Sequence, residues 1–166
     1  MKRFSFLGII SILIIFLVLT SSNLYEDTKR YKMEIGHRYE QLVRETRSSV
    51  RQMLKVNLEE ALESEYGTKL IENLNSQIRS KEIEFLRLRN DISKIGRLLR
   101  KVYEIQQSGL EQGEVSKEEI NVYRNNLVKL NFILMDFDHD IRDWYDTFTK
   151  KDPEILTKME KRLNED

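Results

Sequence analysis

Residues 136–143 are the one part of the chain where side-chain types and spacing resemble a metal-binding loop. Acidic residues and a histidine share this segment: Asp136, Asp138, His139, Asp140 and Asp143. A calcium loop also needs a glycine at its sixth position and a glutamate at its twelfth. Counted from residue 136, those positions hold Ile141 and Thr147, and the segment lies within a helical pattern. We therefore interpret it as a salt-bridged helix face and predict no metal site; a loose divalent-cation site on that face is the alternative.

The sequence contains no pattern that predicts a catalytic or cofactor-binding site. His37 and His139 are the only histidines, and both lie among charged residues. A glycine-rich phosphate loop is absent. The chain has no cysteine, which excludes a thiolate metal site, a cysteine nucleophile and a disulfide framework. We therefore expect a non-catalytic protein without a cofactor.

The first 22 residues are typical of a segment that enters a membrane. Two basic residues precede a strongly apolar run without a charged residue over residues 4–19, and Thr20-Ser21-Ser22 follows it. A helix of that length spans about 24 Å, against about 30 Å for the bilayer core, and the flanking residues close most of the difference. We predict a signal anchor over residues 1–22 that contacts membrane lipid. The alternative is a signal peptide cleaved before Asn23, which would release the protein.

The charge distribution predicts how the chain is oriented. Lys2 and Arg3 lie before the apolar run, whereas residues 20–25 carry no positive charge. The positive-inside rule then places the amino terminus in the cytoplasm and residues 23–166 outside it. Removing Lys2 and Arg3 from the 28 basic residues leaves 26 against 28 acidic ones, a net charge close to −2. Nucleic acid is therefore not an expected partner, since it requires a basic face.

After the anchor, apolar residues recur at alternating spacings of three and four, which predicts three long helices. The first runs over about residues 24–66 and is the least regular. The second begins near Thr68 and ends at Ser108-Gly109, with Gly113 in the turn. Its seam residues are Ile71, Leu74, Ile78, Phe85, Leu88, Ile92, Ile95, Leu99 and Val102. The third begins at a capping box formed by Ser116 and Glu119 and ends before Pro153, where a short helix follows. Its seam residues are Ile120, Tyr123, Leu127, Leu130, Leu134, Phe137, Ile141, Trp144 and Phe148.

Short connections at Gly67 and at residues 108–116 predict an all-α fold: the transmembrane helix followed by an antiparallel three-helix, coiled-coil-like bundle and a short carboxyl-terminal helix. In this arrangement the acidic residues of 136–146 lie opposite the basic residues of 79–89. Lys150 and Lys151 would likewise lie near the glutamates of 59–65. This complementarity favours a hairpin over a single long coiled coil.

A second apolar row on the third helix predicts a docking surface. Val128, Phe132 and Met135 are spaced i, i+4 and i+7 outside the main seam, and Ile83 and Leu86 form a similar pair on the second helix. The alternative is that these rows pack against the first helix or the short carboxyl-terminal helix.

These observations predict a membrane-anchored helical scaffold or adaptor, which binds other envelope or membrane proteins, or a second copy of itself, through its bundle. The alternative is an extracytoplasmic sensor that binds a ligand. With one anchor, only residues 1–3 would project into the cytoplasm, so a sensor would need a partner protein to signal.

Overall fold

The computed structural model describes residues 2–89, 91–150 and 152–164, and the side chains of these residues except for 2–13 and 15. This part of the chain is helical and contains no strand, which confirms the all-α prediction. Its helices are α1 (Lys2–Met53), α2 (Leu58–Leu62), α3 (Glu65–Leu86), α4 (Ser93–Gln112), α5 (Lys117–Asp140), α6 (Trp144–Thr149) and α7 (Pro153–Asn164).

Helix α1 is long and has two parts with different surroundings. Its 52 residues span about 78 Å at 1.5 Å per residue. From Ile14 to Glu34 the described side chains are exposed, except for the half-buried Thr20, and burial begins at Gly36. We call residues 14–34 the stalk. Among the described residues, no helix has an apolar stretch long enough to cross a membrane. Most side chains of the predicted anchor, residues 1–22, lie outside the described set.

Four helices form a closed ring, so the bundle has one more helix than predicted. Helix α1 packs on α3, α3 on α4, α4 on α5, and α5 again on α1. Lys81 of α3 pairs with Glu45 of α1 at 2.5 Å, and Ser49 of α1 donates to Gln77 of α3 at 3.0 Å. Higher numbers on one helix meet lower numbers on the other, so α1 and α3 are antiparallel. The fold is an up-down-up-down bundle, with α6 packed on α1 and α7 on α5.

The predicted second helix is wrong because α3 ends at Leu86, α4 begins at Ser93, and the two helices pack side by side as the α3–α4 hairpin. The Nδ2 of Asn75 on α3 donates to Oε1 of Gln107 on α4 at 2.9 Å, which fixes the antiparallel pairing. The two helices approach closely at Gly96, where an added Cβ would lie 2.9 Å from the backbone nitrogen of Leu86. The sequence has Asn90, Asp91 and Ser93 at this point, and these residue types favour turns over helix interiors. The prediction of one continuous helix followed the apolar spacing, which continues unbroken across the turn, instead of these turn-favouring residues.

The predicted first helix is also too long, since α1 ends at Met53 rather than near residue 66. A short turn and α2 follow, and Ser64 begins α3 by accepting a hydrogen bond from the backbone nitrogen of Gly67 at 3.1 Å. Gly67 therefore lies inside α3 instead of separating two helices. A Cβ there would lie 2.2 Å from the carbonyl oxygen of Ala61, so glycine allows α2 to pack against the start of α3.

The predicted third helix begins correctly and ends too late. The Ser116 backbone nitrogen donates to Oε2 of Glu119 at 2.9 Å, and the Glu119 nitrogen donates to the Ser116 hydroxyl at 3.2 Å, which confirms the capping box. Helix α5 nevertheless stops at Asp140. Asp143 accepts a hydrogen bond from the Asp146 nitrogen at 2.8 Å and so starts the separate helix α6. Pro153 begins α7, in agreement with the predicted short helix.

The core confirms the predicted seams although two of the helices are divided. Seam residues of the predicted second and third helices are buried, apart from the partly buried Leu88 and Trp144. Both halves of the second seam face the bundle interior because the hairpin places α3 and α4 side by side. The spacing therefore identified which residues pack, and it did not identify where the chain turns.

Candidate protein-binding surface

The acidic residues of 136–143 are divided among separate partners and do not form one site. Asp136 accepts from Arg162 at 3.0 Å, Asp138 accepts from Arg44 and Arg47 at 2.9 and 2.7 Å, and Asp140 accepts from Lys158 at 3.0 Å. Within the described residues, no three His, Cys, Asp or Glu side chains come together as a metal site. The salt-bridged helix face is the interpretation that the geometry supports.

The predicted partners of that acidic segment are wrong. Arg79 bonds to Glu82 on its own helix, and Lys81 bonds to Glu45 of α1. The reason is that α3 and α5 lie diagonally across the ring of four helices, so their outer faces do not meet. Lys150, at the end of α6, pairs with Asp146 at 2.8 Å rather than with the glutamates of 59–65, and this hydrogen bond raises the pKa of Lys150. Lys151, the other lysine of that prediction, lies outside the described residues.

An open cleft of about 720 Å³ lies beside α6 and the start of α7. It is lined by both signs of charge, including His139, Arg142 and Lys150. Two of its carboxylates already start helices: Asp143 caps α6, and Asp152 accepts from the backbone nitrogen of Glu154 at 3.1 Å. A carboxylate engaged in this way supports the local backbone.

The predicted docking residues Val128, Phe132 and Met135, which we call the apolar stripe, lie together on the outer side of α5. Val128 is 42% exposed, Phe132 is 38% exposed, and Met135 is half-buried. The guanidinium of Arg162 on α7 lies 5.0 Å from the centroid of the Phe132 ring. The carboxyl-terminal helix thus covers one edge of the stripe and leaves Val128 and Phe132 open to solvent.

The corresponding apolar pair on α3 has a different environment. Ile83 is 38% exposed, whereas Leu86 is half-buried and contacts the α4 backbone region at Gly96. Leu86 is therefore occupied within the hairpin, and Ile83 is a single exposed apolar side chain, which is common on protein surfaces.

A row of positive side chains along α1 was missed by the sequence reasoning. The basic row consists of Arg44, Arg47 and Arg51 on α1 and Lys55 in the turn that follows. With Ser48, Gln52 and Asp138 of α5, these residues line a groove of about 480 Å³. The signal was present in the sequence, since spacings of three, four and four place basic residues on one helix face.

Aromatic packing fixes α6 against α1 where the stalk meets the bundle. The ring of Tyr39 stacks on Phe148 with centroids 4.6 Å apart, and Tyr31 meets Tyr145 edge-on at 6.4 Å. Burial raises the pKa of Tyr39, and the neighbouring Tyr31 and Tyr145 raise it further. A Cβ at Gly36 would lie 3.2 Å from the Tyr145 backbone nitrogen, so the glycine permits close contact. The stalk is therefore a direct continuation of a packed helix.

Two buried polar contacts hold the helices of the bundle in register. Glu82 is fully buried and accepts from Arg100 of α4 at 2.8 Å as well as from Arg79. Gln106 of α4 donates to the Tyr123 hydroxyl of α5 at 3.0 Å, and burial raises the pKa of Tyr123 to about 12. Each group bonds to a neighbouring helix, so these contacts support the fold and leave no reactive group facing solvent.

Comparison of the chain with protein-family models gives no match. Comparisons with curated proteins and with solved structures give no match either. Function is therefore inferred from the residues and geometry of the chain itself.

Proposed function

We propose that this protein is a membrane-anchored helical scaffold or adaptor, which binds other membrane or envelope proteins through the surface of its bundle. The observation that carries the proposal is the continuity of α1 from Lys2 to Met53. At its amino-terminal end Ile14 and residues 16–19 are between 55% and 62% exposed. Large apolar side chains exposed in a row mark a membrane or protein contact, and the sequence continues the same apolar character back to residue 4.

A continuous helix would make the anchor part of how the bundle is presented. From Asn23 to Gly36, where burial begins, α1 rises about 20 Å at 1.5 Å per residue. No turn interrupts this stretch. The bundle would therefore stand at a set height above the lipid surface, with α6 bracing the helix at its base. A rigid display of this kind suits a protein that positions partners and needs no catalytic group.

Membrane insertion is tested by placing charge in the apolar run of the full chain. Arginine at residue 10 and residue 14 (Ile10→Arg with Ile14→Arg) should cost about 2.5–3.5 kcal/mol each for insertion near the bilayer centre. The expected result is loss of the protein from the carbonate-washed membrane fraction. Leu24→Arg lies outside the run and serves as the charge control, and it should remain in the membrane. Retention of the double variant in membranes would contradict the anchor.

Orientation and retention of the anchor have their own measurements. Protease is added to cells whose outer layers are permeable and whose cytoplasmic membrane is intact. It should digest the bundle if residues 23–166 lie outside the cytoplasm. The mass of the membrane-bound protein should equal that of the full chain. A bundle that is protected in intact cells, or a chain shortened at Asn23 and free in solution, would overturn the anchored extracytoplasmic arrangement.

A further inference from the structure

We propose that the apolar stripe on α5 and the basic row beside it together dock an acidic amphipathic helix of a partner protein. The proposal rests on the scaffold function above and names the chemistry of its partner.

The apolar stripe runs along the edge where α5 meets α1. Val128, Asn131, Met135 and Asp138 follow the spacing i, i+3, i+7 and i+10, which places them on one face of α5. Asp138, at the end of this face, accepts hydrogen bonds from two residues of the basic row. The stripe and the basic row are therefore neighbours, joined at the Asp138 end.

The basic row carries more positive charge than the groove neutralises. Of the residues that the structure describes, Asp138 is the one carboxylate that lines the groove, and it accepts from Arg44 and Arg47. Arg44 also pairs with Glu40 of its own helix at 2.9 Å. Among the described residues, no carboxylate lies within ion-pair distance of Arg51 or Lys55. Because α1 and α5 are antiparallel, these two residues lie alongside the amino-terminal part of the stripe, towards Val128. The excess charge is thus on the side of the groove towards Val128, the most exposed side chain of the stripe.

A cation also flanks the other side of the stripe. Arg162 of α7 lies over the face of Phe132 while it bonds to Asp136. The surface therefore has an apolar centre with the excess positive charge of Arg51 and Lys55 on its α1 side and the Arg162–Asp136 ion pair on its α7 side. From Val128 to Met135 it extends about 10 Å along α5, or about two helical turns. A helix with apolar residues at i, i+3 or i+4, and i+7, flanked by Asp and Glu, complements this surface in shape and charge.

Height above the membrane distinguishes a protein partner from lipid headgroups. If the lipid surface lies near Asn23, Arg44 stands about 32 Å above it along α1 and Arg51 stands still higher. A 40° tilt, at the upper end for transmembrane helices, still leaves Arg44 about 24 Å away. Attraction to charged headgroups is screened over about 8 Å at physiological ionic strength. A second copy presents the same positive edge and would be repelled.

The first experiment compares how tightly synthetic peptides bind to the full chain. The chain is held in nanodiscs of phosphatidylcholine, a zwitterionic lipid with no net charge. One helical peptide has leucines at i, i+3, i+4 and i+7 flanked by glutamates, a second has lysines in place of the glutamates, and a third is a scrambled acidic sequence. Fluorescence anisotropy should show the acidic amphipathic peptide binding at least about tenfold more tightly than the other two. Equal binding of the acidic and scrambled peptides would overturn the proposal.

Variants then locate the binding surface. Charge reversal with Arg51→Glu and Lys55→Glu should weaken the acidic peptide about tenfold and strengthen the lysine peptide. Val128→Ser with Phe132→Ser should weaken both peptides. The matched controls are Lys117→Glu for charge and Ile83→Ser for an apolar side chain of equal exposure, and both should leave affinity unchanged. Unchanged binding after charge reversal, with the circular dichroism spectrum intact, rejects the basic row as the docking edge.

Crosslinking in cells separates this proposal from the scaffold function on which it rests. A photoreactive residue at position 132 of the full chain should capture a segment whose sequence has Asp or Glu beside helically spaced apolar residues. Capture of a non-acidic segment, of a second copy or of lipid overturns the proposed partner chemistry and leaves the anchor intact. The scaffold function itself would be rejected if photoreactive residues at positions 132, 83 and 66 all failed to capture a protein.

Discussion

Replacing Gly96 with alanine tests the α3–α4 hairpin directly, because the hairpin and a continuous helix predict opposite signs. In a continuous exposed helix, Gly→Ala stabilises by about 1 kcal/mol through helix propensity. In the hairpin, the added Cβ would lie 2.9 Å from both the backbone nitrogen and the Cγ of Leu86. Overpacking of this kind costs about 1–3 kcal/mol. The Leu86 side chain can rotate away, but the backbone nitrogen cannot, so the cost exceeds the propensity gain.

We therefore expect Gly96→Ala to lower the free energy of unfolding by up to about 2 kcal/mol, the overpacking cost less the propensity gain, which is up to about 8 °C in Tm for a chain of this size. Thermal unfolding of the full chain in nanodiscs, followed by circular dichroism at 222 nm, measures the change. Asn125→Ala, an exposed position within α5, is the propensity control and should raise Tm slightly. A higher Tm for Gly96→Ala would refute the close approach of α3 and α4.

Three further predictions concern polar groups of the bundle. Glu82→Ala removes the buried acceptor of Arg100 and should destabilise by about 2 kcal/mol in the same assay. Ser116→Ala removes the capping box of α5 and should cost about 1 kcal/mol. The pKa of Tyr123 is raised to about 12 in the folded protein, so its neutral form stabilises the fold fully below pH 10, and that stability is lost as pH rises through 12. A pH series of Tm between 9 and 12 should therefore fall less steeply for Tyr123→Phe.

Each of these predictions has a matched control. Glu84→Ala removes an exposed carboxylate of α3 and should leave Tm nearly unchanged, whereas Ser76→Ala replaces an exposed serine within α3 and should raise it slightly. Tyr25→Phe alters a tyrosine of the stalk and should keep the wild-type pH profile. If Glu82→Ala is as stable as its control, the buried ion pairs do not hold α3 and α4 in register. A Tyr123→Phe profile equal to that of the wild type would assign alkaline destabilisation to other groups.

The all-α class, the buried seams and two helix starts could be predicted because they depend on local signals. Helical spacing of apolar residues requires a buried face whatever the partner helix is, so residues such as Ile78 and Leu127 are buried as expected. The Ser116 capping box and Pro153 act within one turn of the chain, and both begin helices where the sequence places them. Neither kind of signal depends on how many helices the bundle contains.

The number of helices could not be read from the same pattern. Phe85, Leu88, Ile92 and Ile95 keep alternating spacings of three and four, so they describe one seam equally well whether the chain continues or reverses. Besides the turn-favouring residues near position 90, the reversal depends on the tight contact that Gly96 permits, which is a tertiary property. A glycine within a helical pattern lowers helix propensity by about 1 kcal/mol relative to alanine, and here it indicates close packing.

The wrong helix number explains the misassigned charges, and it also hides the fact that the basic row lies beside the apolar stripe. In a three-helix bundle every helix touches both others, so acidic residues of the last helix can face basic residues of the middle one. In the ring of four, α5 packs mainly on α1 and α4 and lies diagonally opposite α3, and its acidic residues are instead neutralised by α1 and α7. Asp138 thereby pairs with the arginines at one end of the basic row, and Arg51 and Lys55 remain beside the apolar stripe. The combination of apolar and basic side chains that we propose to bind an acidic helix exists only because α1 and α5 are adjacent, which no local pattern in either segment specifies.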